Sequence, residues 1–599
     1  MDIQETKSYN CKVNVTLRST IPVVGCEINP SVSVTSKGPF PVPFHSYSVN
    51  FKWYKEAEIC SIHNDKLATV QCVSCVKLNI PGKESYHCST KCFLNSWQAH
   101  QQRHHLETER RTLTDDAQTI RKLRSSGSWP ELCSECLIDE AAMMDGGGKD
   151  WFLVSCSRSY VPEVDDLGLI LKLDCVAVDL LTNTALSELN QTMTDPVIEF
   201  PEAQPRPMVP TPRVQESSSL CSTSLNDFTF SILSYNILSD IYTYQKYYNC
   251  PPWALVWEYR RHNLLREIIK YNADIICLQE VQSDHFENFF KPKLTEEGYM
   301  AIYKKKNNEV YTGNQFVTDG CATFYRRHLF KEFAKHEVEF NKKTSPVVEA
   351  LEPDLRSEAS KHLMKDNVAL VVILETLGNC CIKDAIQSRI CVVNAHICSD
   401  PKLPDVKLFQ VVTLVNELEK MLQSEIPLLI CGDFNSVPQS DPYTFMVTGK
   451  LEHSESVDPY GVYQHLKLVH RFLLVSLMFL LTVVVMVSMY LWTLLYEVKF
   501  YALQASAYAS FGLAVAMQER QLGKFNQETR EPELTFRSKR FSKTLDYIFY
   551  TVNTLEVEAV LELLDHEDVA AGLPSPLWSS DHIALMSSFR ILPKKQSCN

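Results

Sequence analysis

The sequence predicts an α/β fold: a two-layer α/β sandwich in the second half, preceded by a small β-rich domain that carries a Cys/His block. Three observations lead there. After residue 228, short apolar runs alternate with helical patterns, and polar clusters follow the runs. Between residues 60 and 104, cysteines and histidines form four close pairs. At 599 residues, the chain is also too long for one core.

The charge and cysteine content narrow the class of protein. A net charge of −13 argues against a broad basic surface for nucleic acid. It leaves open an enzyme that draws a few nucleotides into a carboxylate-lined metal pocket. No apolar run follows the first residues, so no secretory signal is visible. Many of the 21 cysteines are spaced for metal, and we therefore expect a reducing compartment.

The first 190 residues are predicted to form one β-rich domain. Residues 10–55 and 151–181 alternate apolar and polar positions, as half-buried strands do. The Cys/His block at 60–105 lies between them and is interpreted as an insertion. Residues 191–227 are rich in Pro, Ser, Thr and Gln, which predicts a disordered linker.

Residues 228–592 are predicted to form the catalytic domain. Strands are expected at 230–235, 275–278, 368–374, 390–395 and 428–431, and helices at 260–271 and 405–423. Polar residues follow the strands, so we expect them to meet at one edge of the fold.

The chemistry of these polar residues points to phosphodiester hydrolysis with a bound Mg²⁺. Glu280 is the natural metal carboxylate, and Asn236 is a neutral oxygen ligand beside it. Asp433 can orient or deprotonate the attacking water. Each residue alone is unremarkable, because a carboxylate or amide at a strand end usually faces solvent. Several such residues in one order over about 350 positions are unlikely to occur by chance.

The phosphate would need neutral or cationic donors as charge develops on its oxygens. Asn435 and His396 are candidates for this role. His582, polarised through its other ring nitrogen by Asp546, is the candidate acid–base partner or transition-state donor.

These motifs resemble the carbon catabolite repressor protein 4 family of deadenylases, in its plant form. This family belongs to the exonuclease–endonuclease–phosphatase superfamily, whose nuclease domain is DNase I-like. The resemblance rests on SYNILSD (234–240), CPPWALVWEYRRHNLLREIIKYNADIICLQEVQSDHF (250–286), DGCATFYRR (319–327), DVKLFQV (405–411), CGDFNSVP (431–438), LDYIFY (545–550) and LPSPLWSSDHI (573–583).

The resemblance implies Mg²⁺-dependent 3′-to-5′ shortening of mRNA poly(A) tails with release of AMP. It carries the metal role to Glu280 and the water-orienting role to Asp433. It also makes Pro401 and Phe541 the residues that sandwich the adenine, with Asn435 a candidate for hydrogen bonding to the base. Cytoplasm, including P-bodies, and nucleus are the implied locations. Two alternatives stay open: another phosphoester hydrolase such as a nucleotide phosphatase, and a catalytically disabled zinc-finger interaction protein.

The Cys/His block predicts structural zinc. Its candidate ligands are Cys60, His63, Cys72, Cys75, Cys88, Cys92, His100 and His104. Eight ligands suffice for two tetrahedral Zn²⁺ ions. Two alternatives remain: one ion with the first pair outside the set, and His105 in place of His104. The Cys88–His104 half resembles a MYND finger, which implies a protein partner, the RNase-D-like deadenylase subunit of the Ccr–Not complex.

One segment does not fit a nuclease domain. Residues 472–496 are 25 uncharged, apolar residues, enough to span a bilayer. A single span would place Asp433 and His582 on opposite sides of the membrane, where they could not form one active site. A membrane location is therefore not expected. The run is therefore an addition to the nuclease domain, a true span in an inactive chain, or, as its flanks favour, an insertion near 472–504 from an incorrectly joined gene model.

Overall fold

The computed structural model describes residues 11–36, 47–56, parts of 60–111, two short strands at 120–122 and 143–144, and residues 150–212 and 228–593. Gaps within the last range are 244–246, 313–314, 350–352, 378–388, 423–425, 450–504 and 515–522. The chain divides into two compact units. The first comprises 1–202 with 256–262, and the second 203–255 with 263–599.

The first unit is built on a five-stranded sheet. Its strands, in spatial order, are Asn190–Met193, Leu171–Asp179, Tyr47–Glu56, Asp150–Ser155 and Met143–Met144. A separate hairpin, Cys11–Thr16 with Ser31–Ser36, packs on the same core around buried Trp53. The central strand pairs on both sides with strands that follow the Cys/His block in sequence. In sequence, the Cys/His block thus lies between strands that pair in one sheet.

The linker prediction for 191–227 is wrong for its first part. Asn190–Met193 extends the sheet of the first unit, and Val197 is buried in the core of that unit. Met208–Pro210 pairs with Leu555–Leu561 in the second unit. Just before it, Arg206 donates to the carbonyl of Ala584 (2.9 Å). Backbone pairing needs no apolar side chains, so a Pro-rich composition did not exclude it. Residues 213–227 lie outside the described part.

Two sheets form the second unit. The first contains, in spatial order, Met208–Pro210, Leu555–Leu561, Leu585–Ile591, Thr229–Asn236, Ile275–Gln279, Gly320–Arg326 and Tyr299–Lys305. The second contains Phe330–Glu339, Val368–Thr376, Arg389–His396, Leu428–Asp433, Asp546–Tyr550 and Ala505–Ser506. All five strands predicted for this domain are present, in one sheet or the other.

Alternate residues of the second sheet face two different layers. In the strand Val368–Thr376, Val368, Leu370, Val372 and Leu374 belong to the core shared with the first sheet. Their neighbours Ala369, Val371 and Ile373 pack in a second core with the helix Pro404–Met421. Both faces are buried, which explains the continuous apolar runs in the sequence. Each buried Val, Leu or Ile side chain contributes about 1.5–3 kcal/mol. The predicted α/β sandwich is confirmed for this unit.

The principal helices of the described residues are Thr90–Arg111, Trp257–Tyr271, Lys291–Glu296, Phe340–Glu349, Pro353–Leu363, Pro404–Met421, Asp441–Thr448, Ala507–Ala514 and His566–Ala570. The predicted helices at 260–271 and 405–423 are both among them. No helix in these ranges combines the length and apolar character that crossing a bilayer requires. The apolar run 472–496 lies outside the described residues. After it, the chain contributes again to the core between the two sheets, where Tyr508 and Phe511 are buried.

Candidate active site

The ends of five strands bring the predicted polar residues together. Within the first sheet, Asn236 ends one strand and lies beside Gln279, which precedes Glu280. Within the second sheet, His396 lies beside Asp433, and Asp433 lies beside Asp546. The two sheets meet where the Asn236 side chain donates to Asp433 Oδ2 across 3.1 Å.

Asn236 links the two principal carboxylates. Its Nδ2 donates to Glu280 Oε1 and to Asp433 Oδ2, each at 3.1 Å. Its Oδ1 accepts from the backbone N–H of Leu238 at 3.0 Å. The amide nitrogen therefore faces the acids, and direct metal ligation through the oxygen requires rotation of this amide. In the present arrangement Asn236 fixes the separation of the acids.

Glu280 is a buried acid in a strained position. Its backbone φ is +57°, a left-handed conformation that costs a non-glycine residue about 1–3 kcal/mol. Burial, together with the negative charges of Asp319 and Asp581, raises the pKa of Glu280 to about 7, although Lys306 and His582 act in the opposite direction. A divalent cation would relieve this repulsion, and the carboxylate oxygens are the ligand type that Mg²⁺ prefers. The donor set therefore fits Mg²⁺.

Asp433, Asp546 and His582 also lie close enough together to hold a cation, with ligand atoms within 4.8 Å of one another. Asp546 is already engaged, however. Its Oδ2 lies 2.8 Å from His582 Nδ1 and accepts from Thr535 Oγ1 at 2.6 Å. Asp546 is thus occupied by His582 and Thr535, and Asp433 Oδ2 lies 3.6 Å from His582 Nε2, so Glu280 is the better candidate for holding a cation.

The two histidines of the cluster differ in charge: one is protonated and the other is neutral. Burial alone would lower the pKa of His582, but the charges of Asp546 and Asp433 raise it well above its usual value. Burial lowers the pKa of His396 to about 3, assisted by the positive charge of Lys306. Their Nε2 atoms lie 3.6 Å (His582) and 3.7 Å (His396) from Asp433 Oδ2. At neutral pH the cluster thus contains one imidazolium and one neutral imidazole.

The predicted base-binding residues are placed less tightly. Asn435 anchors Asp433 through its backbone N–H (2.8 Å to Oδ1), while its side-chain amide donates to the carbonyl of Ile397 (3.0 Å). Phe541 is 45% exposed and packs on Phe536, whose ring centre is 4.8 Å from that of His582. Pro401 is exposed in the turn after the strand Arg389–His396.

The eight predicted zinc ligands form two separate clusters. One contains Cys60, His63, Cys88 and Cys92, and the other Cys72, Cys75, His100 and His104. The first pair along the chain therefore joins the third pair, and the second joins the fourth. Both the first pair and His104 belong to these clusters.

The spacing within each cluster suits a tetrahedral ion. Cys60 Sγ lies 3.6 Å from Cys92 Sγ, and Cys75 Sγ lies 3.2 Å from His100 Nε2. Zinc–sulfur and zinc–nitrogen bonds of ordinary length give tetrahedral edges of about 3.4–3.8 Å. Soft thiolates with imidazole are also the donors that Zn²⁺ selects. The side chains of both clusters fit Zn²⁺.

Comparisons with known proteins decide the family. Residues 233–582 match the endonuclease/exonuclease/phosphatase family. The chain is 40% identical over 624 aligned positions to carbon catabolite repressor protein 4 homolog 1 of Arabidopsis thaliana, covering 98% of this chain and 99% of the relative. The chain belongs to the carbon catabolite repressor protein 4 family. As a member of a hydrolase family, it is an enzyme.

Fungal members of the carbon catabolite repressor protein 4 family match over less of their length. The CCR4-Not complex 3′-5′-exoribonuclease subunit of Schizosaccharomyces pombe is 30% identical, over 62% of this chain and 51% of that protein. Among solved structures, ANGEL2, a 2′,3′-cyclic phosphatase, is 27% identical over 65% of this chain and 99% of its own, with a TM-score of 0.43. The human Nocturnin catalytic domain is 22% identical over 65% of this chain and 98% of its own, with a TM-score of 0.39.

Sequence reasoning missed a second layer of polar residues around the active-site cluster of this carbon catabolite repressor protein 4 family member. Asp319 is ion-paired with Lys306 (2.6 Å) and accepts from the hydroxyl of Tyr242 (3.0 Å). Tyr248 donates to Asp581 (3.0 Å). The Asp-Gly pair at 319–320 before a strand was a visible signal. Lys306, Tyr242 and Tyr248 gave no such signal, because nothing in the local sequence indicates their partners.

Proposed function

We propose that this protein is an Mg²⁺-dependent 3′-5′ exoribonuclease that shortens poly(A) tails and releases AMP. The observation that carries the proposal is the convergence of Glu280, Asn236, Asp433, His396 and His582 in one buried cluster. Relatives named as 3′-5′-exoribonuclease subunits of the CCR4-Not complex support the choice of RNA over small phosphate esters.

In the proposed mechanism, Glu280 holds the metal, with Asn236 fixing its distance from Asp433. Bound Mg²⁺ supplies positive charge to the scissile phosphate. Asp433, held by the N–H of Asn435, orients the attacking water and accepts its proton. The phosphodiester bond to the terminal nucleotide breaks, which leaves AMP and a shortened RNA with a free 3′-hydroxyl.

The histidines stabilise the charge that develops on the phosphate. His582, kept protonated by Asp546, donates from Nε2 to a phosphate oxygen, and neutral His396 serves as a second donor. Such donors typically contribute about 10²–10³-fold to kcat. Phe541 and Pro401 are proposed to stack on the terminal adenine, at about 1–3 kcal/mol per base, with Asn435 as the hydrogen-bonding candidate.

The experiment follows 5′-labelled A20 and U20 RNA with the purified full chain and Mg²⁺. We expect stepwise shortening of A20 that EDTA or Glu280→Ala abolishes. Glu358→Gln, at a surface position whose side chain is 86% exposed, is the matched control and should change nothing. Equal degradation of U20 would remove the poly(A) claim. Phosphate release from mononucleotides alone would favour a nucleotide phosphatase, and no turnover would favour a disabled interaction protein.

For the first unit, we propose two Zn²⁺ ions, one in each Cys/His cluster. The MYND-like half is proposed to bind the RNase-D-like deadenylase subunit of a Ccr–Not-type complex, in the cytoplasm, including P-bodies, and in the nucleus. The interleaved pairing of ligands supports the zinc proposal, because neither cluster is complete without two distant parts of the chain.

Metal analysis of the purified chain tests the zinc proposal. We expect two zinc ions per chain, and one each in the variants Cys75→Ser and Cys92→Ser. Cys156→Ser, at an exposed cysteine outside both clusters, is the control and should retain two. A wild-type chain without zinc would contradict the proposal.

A further inference from the structure

A short hairpin stands directly beside the catalytic cluster. Its strands are Phe536–Arg537 and Ser542–Lys543, and its turn is closed by a hydrogen bond from the Ser538 N–H to the Phe541 carbonyl (2.9 Å). Phe536 forms a backbone bridge with His582, and the N–H of Arg537 donates to the carbonyl of Asp581 (2.9 Å). The hairpin is thus fixed to the rim of the site.

This hairpin is strongly basic in an acidic protein. Residues 536–543 (FRSKRFSK) contain four cationic side chains and no acid, whereas the whole chain carries −13. The Arg537 guanidinium donates to the carbonyl of Ala570 (3.2 Å). Lys539, Arg540 and Lys543 are exposed, and within the described residues none of the three is ion-paired. Three like charges on eight residues repel one another, so folding of the hairpin does not explain them.

The distances suit a strand of nucleic acid that leaves the site. Lys543 is the register partner of Phe536, which itself pairs with His582. Neighbouring strands are about 4.8 Å apart, so the backbone of Lys543 lies about 10 Å from that of His582. Lys539 and Arg540 lie in the turn that joins the two strands. Phosphates just upstream of the terminal nucleotide therefore fall within reach of the three side chains.

We propose that this basic hairpin, residues 536–543, binds the phosphate backbone of the RNA upstream of the 3′-terminal nucleotide, through Lys539, Arg540 and Lys543. The proposal rests on the proposed exoribonuclease function and deepens it, because it makes a polyanionic strand the substrate. The contacts are to phosphates and carry no base preference. The hairpin also supplies a local attractive field for phosphate on a chain whose net charge is −13.

The test replaces Lys539, Arg540 and Lys543 together with Gln in the full chain and leaves Phe541 intact. We expect KM for A20 to rise about tenfold at 0.1 M salt, with kcat at saturation retained. The plot of log(kcat/KM) against log salt should become less steep by about 2, since each single-strand phosphate contact contributes roughly 0.7. If U20 is also a substrate, its KM should rise by the same factor. The dinucleotide ApA, which has no upstream phosphate, should be cleaved as by wild type.

A matched control changes the same charge elsewhere. Lys270→Gln, Arg327→Gln and Lys331→Gln remove three exposed cations at the opposite ends of the strands. Equal effects of the control, or an unchanged KM and salt slope in the hairpin variant, would overturn the proposal.

A binding measurement separates this proposal from the proposed function. Anisotropy of labelled A20 is measured on the full chain carrying Glu280→Gln, with and without the three hairpin substitutions. Weaker binding and a reduced salt slope support the hairpin even in a chain without turnover. Unchanged binding overturns it even if the wild type degrades A20.

Discussion

At the residue scale, Asp546 is the neighbour with the largest influence on the charge of His582, and Asp433 acts in the same direction. Asp546 accepts from Thr535 Oγ1 (2.6 Å) and lies 2.8 Å from His582 Nδ1. His396, at the same cluster, has no carboxylate partner of this kind and its pKa falls to about 3. The imidazolium form of His582 is present below its pKa and is lost as pH rises through that value. Because Asp546 raises the pKa, this loss is displaced to high pH.

Asp546→Asn should therefore make activity sensitive to alkaline pH. Without the carboxylate, burial lowers the pKa of His582 towards or below its ordinary value. Between pH 6 and 8 we expect kcat/KM on A20 to fall about tenfold per pH unit in the variant, and to change far less in the wild type. A loss of equal size at every pH would show that Asp546 only supports the fold.

The residue types were readable from sequence, but their partners were not. Short motifs at strand ends identified Asn236, Glu280, His396, Asp433 and His582. Thr535 lies 11 residues before Asp546 and gave no local sign that it donates to that carboxylate. Hydrogen-bond partners of this kind depend on how the chain returns to the site.

At the element scale, the strand Leu428–Asp433 approaches the strand Arg389–His396 unusually closely at Gly432. The φ of Gly432 is +148°, and a Cβ added there would lie 1.9 Å from the Ala395 carbonyl oxygen. Both neighbours of this contact, His396 and Asp433, belong to the catalytic cluster. A glycine is thus required for the two strands to present their last residues side by side.

Gly432→Ala should destabilise the fold by roughly 3 kcal/mol or more, because the strands must separate or the backbone must change conformation. The free energy of unfolding in urea measures this. Gly523→Ala is the matched control: nothing lies within 4 Å of its Cβ position, and we expect a change within about 0.5 kcal/mol. Equal stability of both variants would contradict the packing argument.

Element boundaries were predictable where apolar runs were long. The strands of both sheets and the helix Pro404–Met421 were found in this way. Met208–Pro210 was missed because it is stabilised by backbone pairing with Leu555–Leu561 and by Arg206, whose Nε donates to the Glu562 carbonyl (2.7 Å). A strand of three residues that is stabilised by distant parts of the chain is too short to show an alternation of apolar and polar residues.

At the scale of the whole molecule, the nuclease core forms from residues on both sides of the apolar run. The helix Asp441–Thr448 precedes it, and Ala505–Ser506 follows it and pairs with Asp546–Tyr550. The described residues on either side therefore complete the second sheet and its catalytic edge.

Deletion of residues 472–504 should leave the nuclease active. We expect kcat/KM on A20 within about twofold of the full chain, because the described residues on both sides of the run complete the second sheet and the cluster. A folded but inactive deletion variant, or loss of soluble protein, would show that the run belongs to the domain. Sequencing of the spliced transcript across this interval tests the alternative of an incorrectly joined gene model.

The sequence by itself determined the chemistry: acids, amides and imidazoles at strand ends, and four Cys/His pairs. These follow from local patterns of hydrophobicity and spacing. Only the tertiary structure decided which groups share a site: the interleaved Cys/His pairs, the different charge states of the two histidines, and the basic hairpin at the rim. Charge state and ligand set depend on burial and on neighbours from distant parts of the chain. Should Glu280 and His582 fail to act on a common phosphate, the hydrolase mechanism proposed for this fold would not stand.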